Sequence, residues 1–323
     1  MTKTPSQRMR WIFTLALFLF ATLGHAVPGP DPITGDLNTT IHDPTICKDN
    51  SGKYFLFSTM AGLDIRTSTD RKDWTFVGKV WPDGAPWTDP FTNTSNGVLW
   101  APDCTYVDGQ FVLYYAASTS GSQHSAIFLA KSSTGLPGSW THEGMVTSTT
   151  KANDYNAIDP NTKLTDGNKR LLSLGSFWTG IKSVNINPST GLLSDQNVTS
   201  LAQRTADNGA MEASCVFKFN NFYYLFTSWD HCCSGASSDY NIRVGRSTSP
   251  TGGFVDQAGV TLLNGGGTLV LGTHDSIIGP GGQDLIIDND GPIMVYHYWT
   301  PAGDIQHLGI NRLDFSSGWP AVV

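Results

Sequence analysis

The sequence predicts an all-β fold, and three features indicate this. Turn-forming residues are abundant, with 34 glycines and 17 prolines among 323 residues. Short runs rich in aromatic and β-branched residues recur along the whole chain, which is typical of strands. Long segments with a helical period of apolar residues are hard to find. The chain is 39% hydrophobic and only 15% charged, so it is also apolar enough to bury a large core.

Five stretches share one pattern, in which a strand and a turn lead to a second, apolar strand. They read HDPTICKDNSGKYFLFST, APDCTYVDGQFVLYYAAS, IDPNTKLTDGNKRLLSLGS, MEASCVFKFNNFYYLFTS and THDSIIGPGGQDLIIDNDGPIMVYHYW. A further pair of strands follows each stretch. Aligned in this way, the equivalent positions are Asp43, Pro102, Asp159, Glu212 and His274, at intervals of 53 to 62 residues. Five near-regular units of about four strands predict a five-bladed β-propeller.

The N-terminus carries a targeting segment. Lys3, Arg8 and Arg10 precede the apolar run WIFTLALFLFATL, which is too short to span a bilayer comfortably, and small residues end at Ala26. We therefore predict a signal peptide over residues 1–26, with an uncleaved membrane anchor as the alternative. Residues 27–323 are predicted to form one propeller domain of a secreted protein, with residues 27–41 packed along its outside or sealing one end.

Secretion agrees with three glycosylation sequons, which begin at Asn38, Asn93 and Asn197. The formal charge of -7 argues against nucleic acid and anionic membranes as partners, because phosphate groups attract basic surfaces. We expect a monomer that has no membrane partner after its signal peptide is removed.

Five cysteines are too few for a fold held together by disulfides. Cys47, Cys104 and Cys215 lie in apolar, strand-like runs, and we expect them to be buried as small hydrophobic residues. Cys232 and Cys233 are adjacent and can close a strained ring in an oxidising compartment. The sequence predicts a disulfide between these two neighbours, although the connectivity of all five cysteines stays open.

Three acidic residues occupy repeat-equivalent positions. In a propeller the first strand of each blade lines the central axis, so Asp43, Asp159 and Glu212 should face one another at one mouth of the channel. Each Asp-Pro step alone is more often a structural turn. Three carboxyl groups at one mouth repel one another, however, and raise at least one pKa, which suits acid–base catalysis. Most enzymes that hydrolyse a glycosidic bond use a pair of carboxyl groups as their catalytic residues.

Aromatic residues near this mouth support a sugar substrate, since sugar rings stack their C–H faces on aromatic rings. Trp100 precedes Pro102 of the second repeat, and Phe177 and Trp178 follow Ser176. Packing in the core is the alternative for each of them. Motifs of serine hydrolases, P-loop nucleotide-binding proteins and zinc enzymes are lacking.

These residues resemble the family 43 glycoside hydrolases, and in particular their endo-arabinanases, which degrade the arabinan side chains of plant cell-wall pectin. The matching motifs are HDP at Asp43, LWAPD at Trp100, YNAIDP at Asp159, GSFW at Ser176, the acid at Glu212, CC at Cys232, SPTGGFVD near Pro250, GPGGQ at Gly279 and DFSSGWP near the C-terminus. The resemblance covers essentially the whole of residues 27–323. It implies a five-bladed propeller and hydrolysis with inversion, acting on arabinan and arabino-oligosaccharides.

The resemblance also implies roles for single residues. Asp43 would be the general base, Glu212 the general acid, and Asp159 the group that tunes and orients the acid. Asn156 and Ser176 match positions that contact the sugar, and Trp100 and Phe177 are predicted to line its binding site. No cofactor is implied for the chemistry. His274 matches a histidine near the channel centre that binds a calcium ion or a water cluster.

Alternatives to an endo-arabinanase stay open. The acid lies in the context MEAS, and Met211 and Ala213 depart from the usual family pattern on the leaving-group side. An exo-acting α-L-arabinofuranosidase or a β-xylosidase of the same family is one alternative. A non-catalytic sugar-binding propeller is another, although such a protein would usually have lost one of the three acids.

Overall fold

The protein is an all-β structure in a computed structural model, which describes residue 1, residues 27–164 and residues 169–323. The predicted signal peptide, apart from Met1, lies outside the described residues. The strands are β1 Thr34–Gly35, β2 His42–Lys48, β3 Tyr54–Ala61, β4 Asp64–Ser68, β5 Asp73–Lys79, β6 Val98–Val107, β7 Gln110–Ala117, β8 Ser125–Ser132, β9 Trp140–Thr149, β10 Asn161–Leu164, β11 Arg170–Leu174, β12 Ile181–Ile186, β13 Leu193–Ala202, β14 Met211–Phe219, β15 Phe222–Trp229, β16 Asn241–Ser247, β17 Thr268–Leu271, β18 Ile278–Asp288, β19 Gly291–Trp299, β20 Gln306–Asp314 and β21 Ala321–Val322.

Within residues 27–164 and 169–323, helical structure is confined to short segments. These are the helix α1 at Asp89–Thr92 and the 3-10 turns at Pro86–Thr88, Asp207–Gly209, Gly235–Ser237 and Leu262–Asn264. Over the part of the chain that the structure describes, none of the helices has the length and apolar character needed to cross a membrane.

The strands form five antiparallel meanders of four strands each, as the repeat predicts. The meanders are β2–β5, β6–β9, β10–β13, β14–β17 and β18–β21, numbered one to five below. Meanders one and two are joined where Met60 pairs with Leu99, so that, with β1 pairing parallel to β5, they count as one sheet. The first strand of each meander contacts the first strand of the next, and β18 contacts β2, which closes the circle.

Alternation of side chains along each strand builds the core between meanders. In β7, Phe111 and Tyr115 pack toward the first meander, whereas Val112 and Tyr114 pack toward the third. Because β7 is buried on both faces, its sequence FVLYYAA is continuously apolar and does not alternate with polar residues. Each fully buried side chain of this kind stabilises the fold by about 1.5–3 kcal/mol.

The fifth interface closes the ring. Ile46 and Leu56 of the first meander pack against Ile293 and Val295 of the fifth, and all four are fully buried. Residues 27–41 link the two meanders at this junction, and part of the segment lies along the outer strand of the first meander, one of the two placements predicted for it. The Asp31 N–H donates to the carbonyl of Ile310 in β20, while β1 pairs with β5 on the other side.

A ring of buried polar groups ties the inner strands together beneath the channel mouth. The Thr45 hydroxyl donates to Asp284 Oδ2 at 2.7 Å, and the Asn161 amide donates to Asp103 Oδ1 at 2.8 Å. The side-chain oxygen Oδ1 of Asn161 in turn accepts from the Val216 N–H at 2.9 Å. Satisfied networks of this kind fix one arrangement of neighbouring strands, because an unpaired buried polar group is costly.

The cysteines differ in part from expectation. Cys232 and Cys233 form the predicted disulfide between neighbours. Cys47 and Cys104 were expected as unpaired hydrophobic residues, but they form a second disulfide that links β2 to β6. The reason is geometric: the two neighbouring inner strands bring the Cα atoms of these cysteines to 5.8 Å, within disulfide reach. Cys215 is the free, buried cysteine, as expected.

Candidate active site

One open cavity of about 670 Å³ collects seven of the eight site residues that the sequence predicts. They are Asp43, Trp100, Asn156, Asp159, Ser176, Phe177 and Glu212. The three carboxyl groups come from meander one, from the start of meander three and from meander four. The closure of the ring therefore brings together residues that are up to 169 positions apart in the chain.

A left-handed residue at or near the start of each inner strand sets the direction of these side chains. These residues have φ between 42° and 61°, and they are Asp43, Ala101, Asp159, Ala213 and Gly282. The strands β2, β6, β14 and β18 each have a β-bulge at this place. A left-handed backbone in a residue other than glycine costs energy and is concentrated at functional sites. This register corrects the sequence alignment. The second equivalent residue is Ala101 instead of Pro102. The fourth is Ala213, with Glu212 one position earlier, and the fifth is Gly282 instead of His274.

The backbone and carboxylate of Asp43 are held by three neighbours. Its N–H donates to His297 Nδ1 at 3.1 Å, and the Thr59 hydroxyl donates to Oδ2 at 3.2 Å. His42 Nε2 lies 3.1 Å from the same oxygen. The side chain retains 19% exposure, so it is directed but still open to the cavity. The absence of a side chain at Gly282 leaves space for the Asp43 carboxylate in this position, because a Cβ at Gly282 would lie 2.5 Å from Asp43 Oδ1.

Glu212 is half-buried, and its carboxyl group has two hydroxyl partners. The Ser176 hydroxyl donates to Oε2 at 2.6 Å, and the Tyr240 hydroxyl donates to Oε1 at 2.8 Å. Burial raises the pKa of Glu212, and the negative charge of Asp43 raises it further, while the two hydroxyl donors oppose the rise. The protonated form is therefore favoured to a higher pH than in an ordinary glutamate.

Asp159 lies beside this acid. Its Oδ2 accepts the Ala213 N–H at 2.9 Å, directly after Glu212 in the chain. Burial raises the pKa of Asp159 well above its usual range, and repulsion from Glu212 and Asp43 adds to the effect. Two buried carboxyl groups so close together cannot both ionise easily, so the pair retains a proton that either member can carry.

The sugar-facing residues differ in their surroundings. Trp100 is half-buried and lines the cavity, with its ring packed against the core between meanders two and three. Phe177 and Trp178 lie in a tight turn with φ of 53° and 44°, a rare conformation for aromatic residues. Asn156 is only 3% exposed, and its side-chain oxygen has no hydrogen-bond partner among the described residues. This oxygen is itself buried, so the residue contributes to the cavity wall without a hydrogen bond that fixes its amide group.

His274 lies elsewhere. It is outside both the large cavity and the small cavity beneath it, and its Nδ1 lies 2.9 Å from the carbonyl oxygen of Gly272, two residues earlier. The expectation that its imidazole is the fifth member of the axial ring is wrong. The error arose because Gly282, the true counterpart, has no side chain to mark the position, and the loop before β18 lengthens the fifth interval.

Sequence reasoning missed Tyr240 and His297 as parts of the site. Tyr240 ends the loop between β15 and β16, which is longer than the corresponding loops of the other meanders, so no spacing pointed to it. His297 is fully buried in β19, next to Asp43. The only signal for it was a polar residue in the apolar run IMVYHYW.

Comparison with known proteins agrees with this geometry. Residues 36–320 match the family of Glycosyl hydrolases family 43. The chain is 41% identical to an arabinan endo-1,5-alpha-L-arabinosidase A of Aspergillus niger, with 94% of this chain and 97% of that protein covered. It is 38% identical to an extracellular endo-alpha-(1->5)-L-arabinanase 1 of Bacillus subtilis, with 92% of each covered.

A solved structure resembles the fold closely. The alpha-L-arabinanase of Cellvibrio cellulosa complexed with arabinohexaose superposes with a TM-score of 0.82 at 30% identity, with 88% of this chain and 95% of that chain covered. The family match spans most of the chain, and the relatives align over nearly their full length. The protein is therefore a member of family 43 of the glycosyl hydrolases.

Proposed function

We propose that the protein is a secreted endo-1,5-α-L-arabinanase that hydrolyses internal linkages of arabinan with inversion. The observation that carries this proposal is the convergence of Asp43, Asp159 and Glu212 in one open cavity, with the pKa of Glu212 raised. Relatives at about 40% identity bear arabinanase names, which supports the substrate class.

Glu212 is the general acid in this proposal. Its raised pKa keeps the proton that must pass to the leaving glycosidic oxygen. The hydroxyl groups of Ser176 and Tyr240 hold both carboxyl oxygens in place and stabilise the carboxylate that remains after the proton has left.

Asp43 is the general base. Thr59 and His42 direct its Oδ2, while the contact of its N–H with His297 fixes the backbone. Asp43 removes a proton from water as that water attacks the anomeric carbon, in one displacement without a covalent intermediate. Inverting enzymes hold the two carboxyl groups roughly 6.5–9.5 Å apart to leave space for this water. Meanders one and four are not neighbours in the ring, which supports the wide spacing.

Asp159 is a positioning residue. It accepts the hydrogen bond of the Ala213 N–H and thereby fixes the backbone on which Glu212 is carried. Its negative charge also disfavours ionisation of Glu212, so the two carboxyl groups together keep one proton available over a wider range of pH.

Other residues that line the cavity are proposed to contact the sugar. Trp100 and Phe177 offer apolar ring faces, and Asn156 adds a polar residue to the same cavity lining. The cavity has room for more than one sugar ring and opens to solvent, which supports binding within a polymer and not only at its end.

The proposal includes a five-bladed β-propeller fold and an extracellular location for the protein. The cyclic contacts of the five inner strands support a five-bladed β-propeller, and the five interfaces between meanders support one domain over residues 27–323. The disulfide between Cys47 and Cys104 supports an extracellular location, as does the extracellular relative. Asn38, Asn93 and Asn197 are exposed and accessible to glycosylation.

A metal ion near His274 does not fit the residues present. Among the residues that the structure describes, His42, Cys232 and His297 are the group whose potential ligand atoms lie close enough to share an ion. His274 is not in this group, and the sulfur of Cys232 is already in a disulfide. Calcium also prefers oxygen ligands. The proposed reaction uses the carboxyl groups of Asp43 and Glu212 for its proton transfers.

The test is to incubate the protein with linear and with branched arabinan and to separate the products by size. Endo action releases a ladder of intermediate oligosaccharides early in the reaction. Release of single sugars or one small oligosaccharide from the outset would favour the exo-acting alternative. Tight binding of arabinan without any cleavage would favour the sugar-binding alternative. A Glu212→Ala variant provides the inactive control.

A further inference from the structure

The disulfide between Cys232 and Cys233 lies in the wall of the active-site cavity. Both residues line the cavity together with Asp43 and Glu212. They belong to the loop between β15 and β16, in which Cys232 is half-buried and Cys233 is exposed. Nothing in the proposed acid–base chemistry requires a disulfide at this place.

The back of the disulfide rests on polar side chains. Cys232 Sγ lies 3.8 Å from His297 Nε2, and Cys233 Sγ lies 3.9 Å from His42 Nε2. Gln306 Nε2 is 3.9 Å from each sulfur. Since His42 also contacts Asp43 Oδ2, a single imidazole separates the disulfide from the general base.

The chemistry of this wall differs from that of its neighbours. The carboxyl groups, hydroxyl groups and imidazoles around it bind the polar edges of a ligand. A disulfide has no proton to donate, and its two polarisable sulfur atoms present a small, fixed apolar surface. Such a surface complements the C–H face of a sugar ring whose hydroxyl groups are bound by the polar neighbours. Two free thiols would turn independently and would add weak donors.

We propose that the Cys232–Cys233 disulfide is a substrate-contacting wall that packs against the C–H face of the arabinofuranosyl ring bound beside Asp43, and that opening it with a dithiol weakens substrate binding. This inference rests on the proposed function. In the opening step the S–S bond is broken, two electrons and two protons pass to the cysteines, and the dithiol reagent becomes its cyclic disulfide. The disulfide of Cys47 and Cys104 is buried and protected from the reagent.

The first experiment uses dithiothreitol on the whole protein. Alkylation and mass spectrometry establish that Cys232 and Cys233 alone have been reduced. The dissociation constant for a linear arabino-oligosaccharide is then measured by calorimetry in a Glu212→Gln background, in both redox states. Kinetics of the reduced protein without that substitution give kcat and KM. We expect the dissociation constant to rise about tenfold, as for the loss of one good contact, and re-oxidation to restore it.

Two double variants separate contact from loop shape. Cys232→Ala with Cys233→Ala keeps an apolar wall, whereas Cys232→Ser with Cys233→Ser replaces it with hydroxyl groups. The inference predicts that the serine pair binds the oligosaccharide more weakly than the alanine pair, at equal thermal stability. Equal loss of binding in both pairs, with a lowered melting temperature, would assign the disulfide to loop shape and overturn the inference.

Failure of the inference can be told from failure of the proposed function. If the oxidised protein cleaves arabinan and the verified reduced form binds and cleaves it equally well, the inference is wrong and the function stands. If the oxidised protein neither binds nor cleaves arabino-oligosaccharides, the proposed function is wrong and the inference is overturned with it.

Discussion

The Ala213 N–H donates a hydrogen bond of 2.9 Å to Asp159 Oδ2, so a carboxyl group at the start of the third meander holds the backbone of the fourth. Glu212, one residue before Ala213, is thereby placed next to Asp159. This contact places the positioning residue beside the general acid, whose pKa is raised by burial and by the negative charge of Asp43. Burial and repulsion from Glu212 and Asp43 raise the pKa of Asp159, while the hydrogen bond from Ala213 opposes that rise. The same hydrogen bond stabilises the bulge at Ala213 and offsets the cost of its left-handed backbone.

Removal of either catalytic carboxyl group should abolish most activity without unfolding the protein. Asp43→Ala removes the base and Glu212→Ala removes the acid, and each should lower kcat by roughly 10²–10⁴-fold. Asp195→Asn, on the outer strand β13, is the matched control and should keep normal turnover. Circular dichroism checks the fold. Near-normal turnover by folded Glu212→Ala would refute the assignment of the acid.

Asp159→Asn should move the alkaline limb of the pH profile of kcat/KM to lower pH. The catalytic acid must be protonated, and the pair of Asp159 and Glu212 holds its last proton more tightly because the two charges repel. A neutral asparagine removes that repulsion, so the pKa of Glu212 falls and the active form is lost earlier as pH rises. An alkaline limb that stayed in place would show that Asp159 does not act on Glu212 electrostatically.

Tyr240→Phe should have the opposite effect on the same limb. The Tyr240 hydroxyl donates to Glu212 Oε1 and stabilises the ionised carboxylate, so it lowers the pKa of Glu212. Its removal raises that pKa and should shift the alkaline limb to higher pH, while the aromatic ring keeps the packing intact. Ser176→Ala should shift the limb in the same direction. A shift to lower pH in either variant would contradict the hydrogen-bond arrangement around the acid.

Loss of the Cys47–Cys104 disulfide should destabilise the fold. The bond links two neighbouring meanders across a sequence separation of 57 residues. Replacing both cysteines with alanine should lower the free energy of unfolding by about 2–4 kcal/mol, as measured by denaturant titration. The matched control is the alanine pair at Cys232 and Cys233, which closes almost no loop and should change stability far less. Equal destabilisation by both pairs would argue against an effect of loop closure.

Sequence reasoning predicted the strand content, the five repeats and the gathering of the three acids, because each repeat carries its own apolar alternation and its own turn. It failed at His274, because the true fifth position is Gly282, and a glycine has no side chain that would identify the position in the sequence. It also missed the pairing of Cys47 with Cys104. That pairing depends on the distance between two neighbouring inner strands, which the spacing of residues along the chain does not reveal.

The polar partners of the acids were the least predictable part of the site. Tyr240 reaches Glu212 from an irregular loop, and His297 meets Asp43 from the second strand of the fifth meander. Neither contact follows from a period or a motif. The contact of His297 with Asp43 depends on how the ring closes, and the contact of Tyr240 with Glu212 depends on the path of a loop within the fourth meander. Periodic features of this protein can thus be derived from its sequence, whereas contacts made by loops and between meanders require the structure.

Proton NMR of the first product formed from a linear α-1,5-arabino-oligosaccharide tests the central claim most directly. If Asp43 activates water for direct attack while Glu212 protonates the leaving oxygen, the new reducing end must appear in the β configuration before mutarotation begins. A product that appears first in the α configuration, or an arabinosyl adduct trapped on Asp43, would contradict single displacement and the roles given to both carboxyl groups.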